Sequence, residues 1–184
     1  MSKIFIGGSR HINGLSADVR ARIERMLTQG LAIILGDADG ADKEVQEYLR
    51  NRGYGLVEIF CSGPSCRNNV GSWPLRSIEA SGPRNFKFFA AKDIAMAGEA
   101  TAGLMIWDGR SLGTLMNVVR LVEQSKTAVL YIEPEERFVS FASSVEWTRF
   151  LKSRGAALNR RLDRKRSAEA PGRSSAMQAS LFQA

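Results

Sequence analysis

Three short stretches combine glycine with residues able to hold an anion or a sugar. They are Gly7-Gly8-Ser9-Arg10, Gly36-Asp37-Ala38-Asp39-Gly40-Ala41-Asp42 and Asp108-Gly109-Arg110-Ser111-Leu112-Gly113-Thr114. Glycine lets backbone N–H groups approach a phosphate closely, and the N-terminus of a following helix adds partial positive charge. In the first stretch Gly7, Gly8 and Ser9 can cradle a phosphate with Arg10 as anchor, or simply form a tight turn with an exposed arginine. It matches neither the dinucleotide fingerprint nor a P-loop. The second stretch sets Asp37, Asp39 and Asp42 within six residues. Carboxylates so dense suit ribose hydroxyls, a base edge or a divalent ion better than a bare phosphate. The plainer reading has Asp39 as a helix cap, with Asp37 and Asp42 complementing the helix N-terminus. In the third, the N–H groups near Gly113 and the Thr114 hydroxyl can bind a phosphate or cap a helix. Arg84-Asn85, after Pro83, opens another helix, from which Arg84 can reach the same pocket or remain solvated.

The elements that must position these turns follow from the hydrophobic pattern. Buried runs at 4–6, 31–35, 56–60, 102–107 and 128–132 read as five strands. Helical spacing follows Ser16, Gly40, Pro83, Gly113 and Ser143. Strand–helix alternation implies an α/β fold: a Rossmann-like, open, mostly parallel five-stranded sheet with helices on both faces. Ligands of such sheets sit outside the carboxyl ends of the strands, where the three turns belong. Residues 61–83 break the rhythm and read as a long loop. Trp73 within it can stack on a base or pack against the sheet edge.

The domain is expected to span residues 1–154. Residues 155–184 read as a mostly disordered basic tail, with a short helical continuation as the alternative at its start. The chain holds 26 basic and 19 acidic residues, a net charge of +7. From Arg154, the last residue of that domain, onward there are seven basic and two acidic residues, so +5 of the net charge lies in this C-terminal stretch. Residues 154–173 could therefore touch DNA phosphates. No apolar run is long enough to span a membrane, and the N-terminus reads as a strand and not a signal peptide, so a cytoplasmic location is expected. Cys61 and Cys66 are then expected to stay reduced. Alone they make half a zinc site, and no metal site is expected from them; a divalent ion at the aspartates is the one cofactor left open. His11, the single histidine, reads as a loop residue with acid/base chemistry as the alternative.

Taken in order, Gly8-Ser9-Arg10, Gly36 to Asp42, Arg84-Asn85, Lys92-Asp93 and Gly113-Thr114 resemble the SLOG superfamily, in particular its small YspA-like members. The resemblance spans about residues 3–132. It implies a Rossmann-like fold that binds nucleotides or nucleotide-derived ligands. Related phosphoribohydrolases cleave an N-glycosidic bond with glutamates after a Pro-Gly-Gly-x-Gly-Thr motif. This chain has Ser111-Leu112-Gly113-Thr114-Leu115-Met116-Asn117 instead. Asn117 can hydrogen-bond a ribose but cannot act as a carboxylate base. Cleavage of a nucleoside phosphate or an ADP-ribose-like compound would therefore draw on Asp39, Asp42 or Asp108, with Arg84 on the phosphate. The final Gln178-Ala179-Ser180-Leu181-Phe182 resembles the bacterial sliding-clamp binding peptide. The partners in view are thus a nucleotide-like small molecule, DNA, a clamp through Gln178, Leu181 and Phe182, and a second copy of the chain.

Overall fold

The computed structural model describes residues 2–80, 82–83 and 85–169. Arg84 and the 178–182 motif lie outside the described residues. The first strand, β1 (Lys3–Gly8), is followed by α1 (Ala17–Thr28), β2 (Ala32–Gly36), α2 (Ala41–Asn51) and β3 (Val57–Ser62). Then come β4 (Leu75–Ile78), α3 (Phe86–Glu99), β5 (Ala102–Trp107), α4 (Leu112–Glu123) and β6 (Thr127–Ile132). A 3-10 turn (Glu133–Glu135) leads to β7 (Arg137–Phe141), α5 (Ser144–Ser153) and α6 (Ala156–Glu169). No helix among the described residues is long and apolar enough to cross a membrane.

The sheet is open and runs β4-β3-β2-β1-β5-β6-β7. All neighbours are parallel except β6 and β7. Seven strands thus replace the five read from sequence. The two additions are short edge strands. In β4 the sequence Leu-Arg-Ser-Ile has no buried run, and Leu75 is exposed. In β7, Arg-Phe-Val-Ser-Phe returns beside β6 through a turn in which Glu136 has φ 47°.

The central strands are apolar on both faces, as helix-covered parallel strands must be. Ile6, Ile33, Leu35 and Ile59 pack with Val19 and Ile23 of α1 and Val45 and Leu49 of α2. On the other face Phe5, Phe60, Met105 and Trp107 pack with Met96, Leu115, Val118 and the aromatic trio Phe141, Trp147 and Phe150. Trp73 belongs to the first of these clusters and donates its indole N–H to the Tyr54 carbonyl, 2.9 Å away, so it packs under the loop.

The helical alternative holds at the start of the tail, and one expectation is corrected. Residues 156–169 form α6, with Leu162 buried beside α4 and α5, so the ordered unit continues past 154. Leu158 and Leu162 are enough, at one-turn spacing, to give this charged helix an apolar stripe. Cys61 and Cys66 are joined in a disulfide. The turn at Gly63 brings their Cα atoms to 5.3 Å, within disulfide range.

Candidate functional site

Strand order reverses between β1 and β5, and a cavity of about 880 Å³ opens outside their carboxyl ends. This is the topological switch point at which open α/β sheets bind ligands. Gly7 and Gly8, which end β1, and Ser9, Arg10 and His11 just after it form one wall. Asp108, Arg110 and Ser111 follow β5, and Gly113, Thr114 and Asn117 of α4 continue that side. Asn85, Phe86, Phe89, Lys92 and Asp93 come from the start and middle of α3.

The turns after β1 and β5 are braced together. Ser9 Oγ donates to Asp108 Oδ2 at 2.7 Å, and the Arg110 and Ser111 amides donate to Asp108 Oδ1 at 3.0 and 2.8 Å. Burial pushes the Asp108 carboxyl up, but these hydrogen bonds outweigh it and hold the group below the usual range. Asp108 is therefore a charged brace with its oxygens engaged, a poor acid or base. Asn85 caps α3, accepting from the Lys87 and Phe88 amides, and Ser111 caps α4 by accepting from the Thr114 amide.

The acidic turn divides. Only Ala38 and Asp42 of residues 36–42 line the cavity. Asp37 is buried and takes a two-armed ion pair from Arg67, at 2.6 and 3.1 Å. Burial raises its carboxyl, yet the Arg67 hydrogen bonds and the Lys92 charge leave it lowered overall. Asp39 is exposed and accepts from the Asn68 side chain at 3.0 Å. Both are committed to the 63–74 loop. Gly40 (φ 75°) crosses the Arg10 backbone so closely that a Cβ would stand 2.4 Å from it. At Gly36 a Cβ would fall 2.3 Å from both Asp42 Oδ2 and Lys92 Nζ. These two glycines shape the site without lining it.

Asp42 reaches the cavity as part of a buried cluster. Lys92 Nζ lies 2.9 Å from Asp93, 3.8 Å from Asp42 and 3.9 Å from Asp37. Burial lowers the Lys92 ammonium, but the charges of Asp93 and Asp42 outweigh it and raise it overall. Asp42 is pushed up to about 6 by burial, against the pull of Lys92 and with the push of Asp93. Three carboxylates face two cations, Lys92 and Arg67, so the cluster carries surplus negative charge. The exposed Arg10 and Arg110 put positive charge at the mouth. The cavity thus offers cations and helix-start amides to an anionic end, and carboxylates to hydroxyls or a cationic centre. Asp42, titrating near neutrality, can exchange a proton.

Lys92 and Asp93 enter from sequence only through the resemblance, without a chemical role, and Arg67 does not enter at all. Lys92 had a visible signal, standing one turn from both Phe88 and Met96 on the buried face of α3. Arg67 had none, since its partner Asp37 is 30 residues away in sequence. A further group, Asp37 with Cys61 and Cys66, brings its ligand atoms within 4.8 Å. The two sulfurs are bonded to each other and Asp37 is occupied by Arg67, so this group has no metal-binding donor set. No family model matches this chain, and neither a curated protein nor a solved structure matches it.

Proposed function

We propose that this chain binds a nucleotide or nucleotide-derived ligand in the switch-point cavity, as a SLOG-type protein, and hydrolyses an N-glycosidic bond there. The observation that carries the reading is convergence. Gly8-Ser9-Arg10, Asp42, Asn85, Lys92-Asp93 and Gly113-Thr114 are spread over more than half of the chain, and all line one cavity. Phosphate belongs with Arg10, Arg110 and the amides that open α4, and ribose with Asp42 and Asp93. Protonated Asp42 would give its proton to the leaving base as the C1′–N bond breaks. The resulting carboxylate would steady the oxocarbenium-like centre and take a proton from the water whose oxygen joins C1′. Asp42 replaces Asp39 and Asp108 in this role because it alone of the three is both in the cavity and poised near neutral pH.

The test is incubation with a panel of nucleoside mono- and diphosphates and ADP-ribose, read by native mass spectrometry. A bound species, with free base and ribose phosphate appearing over time, is the expected result. No bound species across the panel would overturn the reading, and binding without turnover would remove its catalytic half. A second reading has DNA held by the exposed Arg160, Arg161 and Arg164, which share one side of α6. Binding of that kind, with several phosphates contacted at once, would weaken much more steeply as salt is raised than capture of one small anion in the cavity.

A further inference from the structure

Lys165 lines the cavity from α6, far along the chain from the other walls. Its Nζ lies 4.8 Å from the centre of the Phe86 ring and 3.2 Å from Glu169. Phe86 is exposed, so ring and ammonium stand together at the mouth. Glu169 also pairs with Arg120 of α4, and both of those side chains are at most 10% exposed. Arg120 donates in turn to Asn117 Oδ1, and Asn117 is a buried residue of the cavity wall. A polar chain therefore runs from Asn117 through Arg120 and Glu169 to Lys165. Arg166 pairs with Glu123, and buried Leu162 fixes the helix below.

We propose that α6 is a wall of the ligand site and that Lys165 binds a phosphoryl oxygen of the ligand, positioned through Glu169 and Arg120. The charges support this. One carboxylate, Glu169, serves two cations, so the trio keeps a surplus positive charge. A lysine that shares its carboxylate retains attraction for a second anion. The Phe86 face holds the ammonium over the opening while leaving its remaining donors free to turn inward. Arg10 and Arg110 flank the same opening, giving three cations from three separate segments. The proposal rests on the cavity being a site for a phosphate-bearing ligand and adds the residue and helix that complete it.

Inorganic pyrophosphate is the probe, titrated calorimetrically into the full chain and into its Lys165→Gln and Lys165→Arg variants. Loss of one charge-assisted contact should weaken pyrophosphate by roughly tenfold in Lys165→Gln, and Lys165→Arg should restore most of it. Amide hydrogen exchange over 156–169 should slow when pyrophosphate is added to the parent, and much less in Lys165→Gln. Equal affinity in parent and Lys165→Gln would overturn the proposal. So would a parent that takes up no pyrophosphate at concentrations up to about 10 mM. Failure here is distinct from failure of the functional reading. A parent that binds nucleotides but not pyrophosphate loses only the role of α6, whereas one that binds pyrophosphate but no nucleotide loses only the nucleotide reading.

Discussion

At the scale of residues, the decisive contact is the buried approach of Lys92 to Asp42 and Asp93 beneath the cavity. The native Asp42 carboxyl keeps its proton up to about pH 6, whereas an unperturbed one loses it near 3.8. Between those values the folded chain holds more proton than the unfolded one. Asp42 thus favours the fold at low pH, and that contribution is lost as pH rises through about 6. An amide does not titrate. The melting temperature of Asp42→Asn minus that of the parent should therefore climb between about pH 4 and pH 7. A flat difference would show that Asp42 is not perturbed. Gly36→Ala tests the same cluster sterically, since its new methyl would displace both charged groups. Urea unfolding should show a loss of about 1–3 kcal/mol. Much of this was hidden in the sequence. The three glycine turns were legible because glycine and aspartate mark turns by their own chemistry. Which aspartates face the cavity was not, because Arg67, brought in by tertiary structure, claims Asp37 and Asn68 claims Asp39.

At the scale of elements, α6 departs furthest from the sequence reading. Composition alone suggests a tail with at most a short helical start, since the segment is mostly charged. Its docking depends on Leu162, which is 3% exposed, and on ion pairs to α4 that no local pattern discloses. Leu162→Ala should cost about 2–5 kcal/mol in chemical denaturation. A cost near zero would mean that α6 does not dock. The edge strands were missed for a related reason. A strand paired on one side has only half a buried face, so β4 and β7 lack the apolar runs that betrayed the central five strands. The loop from Gly63 to Pro74 has no helix of its own. Gln46 ties it to the sheet instead, donating to the Gly36 and Asn68 carbonyls and accepting from the Val70 amide.

At the scale of the whole molecule, the strand order explains why distant motifs meet. The reversal between β1 and β5 leaves a crevice at these two strands' carboxyl ends, and the turns that follow both strands line it. That architecture was legible from strand–helix alternation, because right-handed crossovers leave few alternatives. Gly113 offers the cleanest probe of the cavity. A Cβ there would meet nothing closer than Ser111 Oγ at 3.8 Å, so substitution has room. As the second residue of α4, an aspartate would also complement the helix N-terminus and should leave the melting temperature unchanged or higher. The same carboxylate would repel an anion seated at the start of α4. Calorimetric titration of the parent and Gly113→Asp with the nucleotide retained in mass spectrometry is the most direct measurement. The parent should bind and the fully folded variant should not; unchanged affinity in that variant would contradict a phosphate site at the start of α4.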